Sequence, residues 1–117
     1  VFVDSNPEAV AIVKDNVDSC GFNKESRVLC MDSLEYLKVA KAGLDIVFID
    51  PPYRMGIVEK ALKLVESKLN DGAIIVCEHE KELELGESYG RLKLHKRYKY
   101  GKTALTVYKI PMKEVDY

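Results

Sequence analysis

The residues best placed to do chemistry are Asp50-Pro51-Pro52-Tyr53. A carboxylate, two rigid backbone carbonyls and an aromatic ring in consecutive positions make a site for a flat group that carries an amine. Neither proline has an N–H to donate to a sheet ladder, so a strand that ends here leaves the motif as a stiff projection. Asp and Pro are also common turn formers, which is the plainer use of such a stretch. All four residues directly behind an apolar run favour the functional reading. Asp4 and Asp32 share the setting, because each also follows a short apolar run. In a parallel sheet three such carboxylates arrive at one edge, where open α/β sheets bind ligands and where an acid accepts hydrogen bonds from ribose hydroxyls. A second acid can accept from an adenine amino group. For Asp32, followed by Ser33, a capping or turn role competes strongly. Asp4 is freer, since Ser5 or Asn6 can supply the cap.

The elements that must position these acids can be read from periodicity. Residues 1–3 predict a buried strand ending at Asp4. Asn6 can cap a helix whose first position suits Pro7, and Ser5 with Glu8 offers an alternative capping box. Val10, Val13, Val17 and Cys20 fall at helical spacing, and Gly21 can end that helix. Residues 27–31 predict a second strand before Asp32. Ser33 can cap a short helix through Ala40, closed by Gly43. The apolar run 44–49 predicts a third strand, buried on both faces. A longer helix is expected over 56–69, with Val58, Ala61, Leu62, Val65 and Leu69 as its stripe and Asn70-Asp71-Gly72 as its stop. Residues 73–77 predict a fourth strand, and the acidic stretch 78–87 a loop. Residues 91–98 and 103–110 alternate around Tyr100-Gly101-Lys102, which signals a β-hairpin. Strands separated by helices predict α/β architecture: a parallel sheet with right-handed crossovers, then an antiparallel hairpin.

Composition sets the outer limits. The chain has 117 residues, 47% hydrophobic and 32% charged, enough for one ordered domain spanning 1–117. A net charge of −1 gives no global nucleic-acid signal. Cys20, Cys30 and Cys77 are odd in number and lack metal or redox spacing, so reduced, buried thiols in a cytoplasmic protein are expected. No apolar run is long enough for a membrane span and no signal peptide is evident, so no membrane partner is expected. His79 has no partner at ligand spacing, and no metal is expected. The basic residues Arg91, Lys93, Lys96, Arg97, Lys99 and Lys102 fall in one stretch with His95, Tyr98 and Tyr100. That mixture suits RNA phosphates and exposed bases. It fits a solvated hairpin face equally well.

The layout resembles the Rossmann-like S-adenosylmethionine-dependent methyltransferases, and the Asp-Pro-Pro-Tyr motif is similar to that of enzymes methylating exocyclic or amide nitrogens. More closely, the chain resembles the RsmD-type 16S ribosomal RNA (guanine-N2)-methyltransferases, from Val3 to about Ile110. The resemblance is carried by Val3-Asp4, Asp32-Ser33-Leu34, Phe48-Ile49-Asp50-Pro51-Pro52-Tyr53, Glu78-His79, and Tyr100-Gly101-Lys102-Thr103 followed by Leu105 and Tyr108. It implies S-adenosylmethionine as cofactor, with Asp4 on its ribose, Asp32 on the adenine amino group, and Met31 or Leu34 against the ring. It implies that Asp50 and the Pro51 carbonyl accept from the target NH2, that Pro52 and Tyr53 contact the flipped base, and that Arg97, Lys99 and Lys102 meet RNA. The implied partner is 16S ribosomal RNA or an assembling small ribosomal subunit. A guanine N2 lone pair is delocalised into the ring, so acceptors aimed at its hydrogens would favour a tetrahedral nitrogen and stabilise the charge that grows on it. Extruding the base costs a few kcal/mol, and stacking on Tyr53 would return about 1–3 kcal/mol.

This family begins its catalytic domain with a strand and a Gly-rich loop beside the cofactor. Nothing here matches that loop, so the sequence is expected to be an N-terminally truncated part of a longer protein. Loss of that strand would expose two strand edges, and the 117 residues alone are expected neither to bind cofactor tightly nor to turn over. The alternatives are an amino methyltransferase acting on DNA adenine or protein glutamine, whose glutamine members carry Asn where this chain has Asp50, and a non-catalytic nucleotide-binding domain.

Overall fold

In the computed structural model, residues 1–52 and 56–113 are described. They fall into two units, Val1–Val39 and Ala40–Tyr117.

The first unit is built on β1 (Phe2–Asp4) and β2 (Val28–Cys30), which pair in parallel with Asp4 opposite Cys30. Between them runs α1 (Pro7–Ser19). Asn6 caps it by accepting from Glu8 N–H at 2.8 Å and Ala9 N–H at 3.4 Å, and Pro7 takes the first turn, where its missing N–H costs nothing. The helix ends in a Schellman arrangement: Phe22 N–H donates to Val17 O and Gly21 N–H to Asp18 O, both at 3.0 Å. Val10 and Val17 are its buried residues. Cys20, expected on that stripe, is the C-cap and is exposed, because it lies past the last inward turn. Cys30 is exposed too, on a strand of a two-stranded sheet, which corrects the expectation of buried thiols; only Cys77 is buried. The second helix, α2 (Ser33–Val39), is capped by Asp32 rather than by Ser33.

The second unit is a five-stranded sheet in the order β3-β4-β7-β6-β5. Its strands are β3 (Leu44–Ile49), β4 (Leu69–Glu80), β5 (Ser88–Tyr89), β6 (Leu92–Tyr100) and β7 (Thr103–Lys109). β3 and β4 are parallel; the other pairings are antiparallel. The crossover helix α3 (Ile57–Val65) buries Val58, Ala61, Leu62 and Val65, spaced i, i+3, i+4 and i+7, and packs on β4. Beneath it the sheet buries Ile75, Cys77, Tyr108 and Thr106, together with His79. Each fully buried apolar side chain here contributes about 1.5–3 kcal/mol.

Several boundaries differ from the sequence reading. The helix stops at Val65 and a 3₁₀ turn, Glu66–Lys68, leads straight into β4, because Leu69 already pairs with Leu44. Asn70-Asp71-Gly72 is therefore an irregularity inside a strand, not a helix stop. Gly72 is required there: its φ is +79°, and a Cβ would collide with Met112 Sδ. Arg91 secures this corner, donating from Nε to Glu66 Oε1 at 2.9 Å and from Nη2 to the carbonyls of Glu66 and Leu69. Its backbone and side-chain hydrogen bonds hold the Glu66 carboxyl below the usual carboxylate range. The acidic stretch after Cys77 is not all loop, since β4 continues to Glu80 by pairing Glu78, His79 and Glu80 with Leu105, Ala104 and Thr103. Nor is β3 buried on both faces. Ile46 is 76% and Phe48 61% exposed, because among the described residues β3 has a strand partner on its β4 side only and α3 covers one face of the sheet.

Candidate functional site

The end of β3 and the end of β4 build the site. Ile49 pairs with Cys77, so Asp50 and Glu78 follow side by side at the same edge of two parallel strands. Their carboxyl groups lie within hydrogen-bonding reach. The negative charge of Asp50 is the main cause that raises the Glu78 carboxyl above its ordinary value, with burial and the shared hydrogen bond adding to it. Pro51 and Pro52 follow directly, half-buried and exposed respectively. Both prolines, Glu78, Ile57, Glu59 and Leu83 line a cavity of about 200 Å³ at the start of α3. Asp50 is exposed and stands beside the cavity rather than in its lining. Tyr53, the motif's fourth residue, lies outside the described residues.

The cavity floor is rigid for identifiable reasons. His79 is 3% exposed. Its Nδ1 is 2.8 Å from Glu80 O and its Nε2 2.8 Å from Thr106 Oγ1. A carbonyl can only accept, so Nδ1 carries the proton, while Nε2 shares a hydrogen bond with the Thr106 hydroxyl. Behind it, Tyr108 OH donates to Gly86 O at 2.6 Å and Tyr89 OH donates to Glu59 Oε1 at 3.1 Å. The two rings meet edge-on at 5.6 Å. Burial raises both phenols above their ordinary range and pushes the Cys77 thiol up to about 12, so none of the three is a ready nucleophile or base.

The basic stretch is divided by a bulge at His95, between the pairs Leu94–Tyr108 and Lys96–Val107. Arg97 and Lys99 then share the face of Thr106 and Ala104, while Lys96, Tyr98 and Tyr100 share the face of Val107, Leu105 and Thr103. Arg97 Nη2 donates to Leu85 O at 2.7 Å, tying down the loop before β5. Lys99 and Lys102 are exposed. Lys102 sits in the two-residue hairpin turn, and its carbonyl accepts from Lys81 N–H at 3.1 Å. On the other face Tyr98 and Tyr100 stack at 6.3 Å and 10°, with Lys96 Nζ 4.9 Å above Tyr98. These three follow the bulge at i, i+2 and i+4, so alternation puts them on one face, and the bulge brings Lys93 to that face as well.

In the first unit, parallel pairing brings Asp4 beside Met31 and Asp32: Met31 N–H donates to Asp4 O at 3.0 Å. Asp4 and Asp32 are exposed, and Met31 and Leu34 are half-buried. Asp4 Oδ1 accepts from Asn6 N–H at 2.8 Å and Asp32 Oδ2 from Glu35 N–H at 3.0 Å. Each carboxylate thus spends one oxygen on its own helix start. This acceptor set, two acids with an apolar shelf, fits a nucleoside with a diol and an amino group.

Glu78 carries part of the family resemblance, but the sequence reading assigned it no role in the site. The signal was available, since Glu78 follows the fourth strand just as Asp50 follows the third. It was hidden by the further acids behind it, which read as a solvated loop.

The family described as conserved hypothetical protein 95 matches residues 1–109. A Bacillus subtilis protein that bears the name "Putative rRNA methyltransferase YlbH" is 32% identical over 114 residues, covering 93% of this chain and 62% of its own. Ribosomal RNA small subunit methyltransferase D of Escherichia coli is 32% identical over 85 residues, covering 71% and 43%. A solved structure of a conserved hypothetical protein from Streptococcus pyogenes superposes with a TM-score of 0.85 at 28% identity, covering 92% of this chain and 68% of that one. The chain therefore spans between about two fifths and two thirds of the length of these relatives.

Proposed function

We propose that this chain, which belongs to the conserved hypothetical protein 95 family of RsmD-type methyltransferases and has their Rossmann-like fold, carries the acceptor site of an enzyme that methylates the exocyclic N2 of a guanine in 16S ribosomal RNA. The observation that carries this reading is Asp50-Pro51-Pro52 at the end of β3, beside Glu78 and a small cavity with apolar walls. The names of the Bacillus subtilis and Escherichia coli relatives support ribosomal RNA as the substrate class.

In this reading the Asp50 carboxylate and the Pro51 carbonyl accept the two amino hydrogens of the target, which turns the nitrogen lone pair out of the ring plane. Asp50 also stabilises the positive charge that develops on that nitrogen. Rigid prolines hold both acceptors in place, so little reorganisation is needed at the moment of reaction. Pro52 and Tyr53 contact the extruded base. Asp4 would accept from the ribose hydroxyls of S-adenosylmethionine and Asp32 from its adenine amino group, with Met31 and Leu34 against the ring; when bound, the cofactor supplies an electrophilic methyl group on a sulfonium. Lys99 and Lys102, both exposed, offer ammonium groups to RNA phosphates. Arg97 has one N–H committed to Leu85 O and offers the remainder of its guanidinium. The setting is the cytoplasm, the partner is 16S ribosomal RNA or an assembling small subunit, and the 117 residues by themselves neither turn over nor bind cofactor tightly.

The test is methyl transfer by the full-length protein to 16S ribosomal RNA, small subunits, DNA and a glutamine-bearing protein. Label in N2-methylguanine of the RNA is expected. Label confined to DNA adenine or to protein would overturn the reading. Calorimetry of the isolated 117 residues with S-adenosylmethionine is expected to show no tight binding.

A further inference from the structure

We infer that Glu78 selects the base: its carboxylate accepts the N1–H of a guanine whose 2-amino group is held by Asp50, and it excludes a purine with a bare acceptor at N1. The inference rests on the acceptor site proposed above. Ile49 and Cys77 are in register, so the next residues, Asp50 and Glu78, stand on neighbouring strands, which in any sheet run about 4.8 Å apart. Glu78 also lines the cavity behind Pro51 and Pro52, whose rings, with Ile57 and Leu83, make apolar walls for a flat heterocycle. Its in-register neighbour on β7 is Leu105, which offers the carboxylate no polar partner.

The chemistry is complementary. An ionised carboxylate is an acceptor only. Guanine presents two adjacent donors on one edge, the N1–H and the 2-amino group. Two acids in reach of each other repel when both are charged, and two donor N–H groups placed between them remove that repulsion. A purine lacking the N1 hydrogen would instead set a ring lone pair against the Glu78 oxygens. A site built to receive a hydrogen bond rejects an analogue that cannot make it far more strongly than an apolar pocket rejects a wrong shape.

The full-length protein is given an RNA with guanine or 2-aminopurine at the target position; the second base keeps the 2-amino group and has a bare N1. Wild-type protein is expected to methylate guanine at least about 10²-fold better than 2-aminopurine. In Glu78→Gln, whose amide can donate to N1, the preference is expected to narrow to about tenfold or less. Glu78→Ala should narrow it as well. Each ratio is taken within one preparation, so partial loss of folded protein cancels. If either variant is inactive on both bases, competitive binding of the two RNAs reads the same ratio. A ratio unchanged in both variants would overturn the role of Glu78 while leaving the acceptor site standing. Failure of the wild-type protein to methylate either base would overturn both.

Discussion

Asp32 and Asp50 each close a parallel strand, yet their carboxylates are held in different ways. Asp32 accepts from Glu35 N–H, three residues on, and so caps α2. Asp4 likewise accepts from Asn6 N–H, two residues on. Asp50 cannot use the nearby backbone as Asp4 does, because the residues one and two positions on are prolines and have no N–H. Among the described residues its carboxylate meets Glu78, on the neighbouring strand. The difference shows how two prolines deny an acid the local backbone hydrogen bond that Asp4 makes. The helix that follows, α3, accordingly has Gly56 at its N-cap and no side-chain cap.

The comparison breaks most visibly at Asp50. Asp50→Ala in the full-length protein is expected to lower turnover by about 10²–10³-fold, with S-adenosylmethionine affinity nearly unchanged. Equal loss of turnover and affinity in kinetics and calorimetry would move Asp50 out of the acceptor role. Pro52→Ala tests the reason for the difference. It restores an N–H two residues after Asp50, and the resulting local hydrogen bond should compete with substrate and reduce kcat/KM by roughly tenfold. Unchanged kinetics would mean the prolines act through shape alone.

Stability should move the other way. Asp32→Ala removes a cap and is expected to cost about 1 kcal/mol in urea denaturation, whereas Asp50→Asn relieves a like-charge contact and should cost nothing. A comparable cost for both would erase the distinction between them. The smallest effect concerns pH. In the folded chain Glu78 titrates above its ordinary value, so between the ordinary and the raised value the folded state holds more protons than the unfolded state. Stability therefore falls as pH rises through that window, and Glu78→Gln should flatten the slope there. Glu66, held low by Arg91, contributes the opposite dependence, lost as pH falls through its lowered value, and Glu78→Gln should leave it intact. A slope that survives in Glu78→Gln would assign the effect to another group.

What could be read locally was read well. The α1 cap at Asn6, its Gly21 stop, the α3 stripe from Val58 to Val65 and the hairpin around Gly101 all depend on residues a few positions apart. The errors came where a distant strand decided. Pairing of Leu69 with Leu44 shortened α3 and turned Asn70-Asp71-Gly72 into part of β4. Pairing with β7 drew Glu78, His79 and Glu80 into the same strand. The bulge at His95 changed which basic residues share a face, and committed Arg97 to the loop at Leu85.

The order of strands and helices apart from β5, the acids at the strand ends and the Asp50-Pro51-Pro52 motif were determined by sequence alone, because periodicity, capping and proline stereochemistry act over a few residues. The meeting of Asp50 with Glu78, the burial of His79 against Thr106 and the commitment of Arg97 to Leu85 were decided only by tertiary structure. Each depends on the register between strands, and register is set by which side chains are buried together across the sheet rather than by any one strand's own residues.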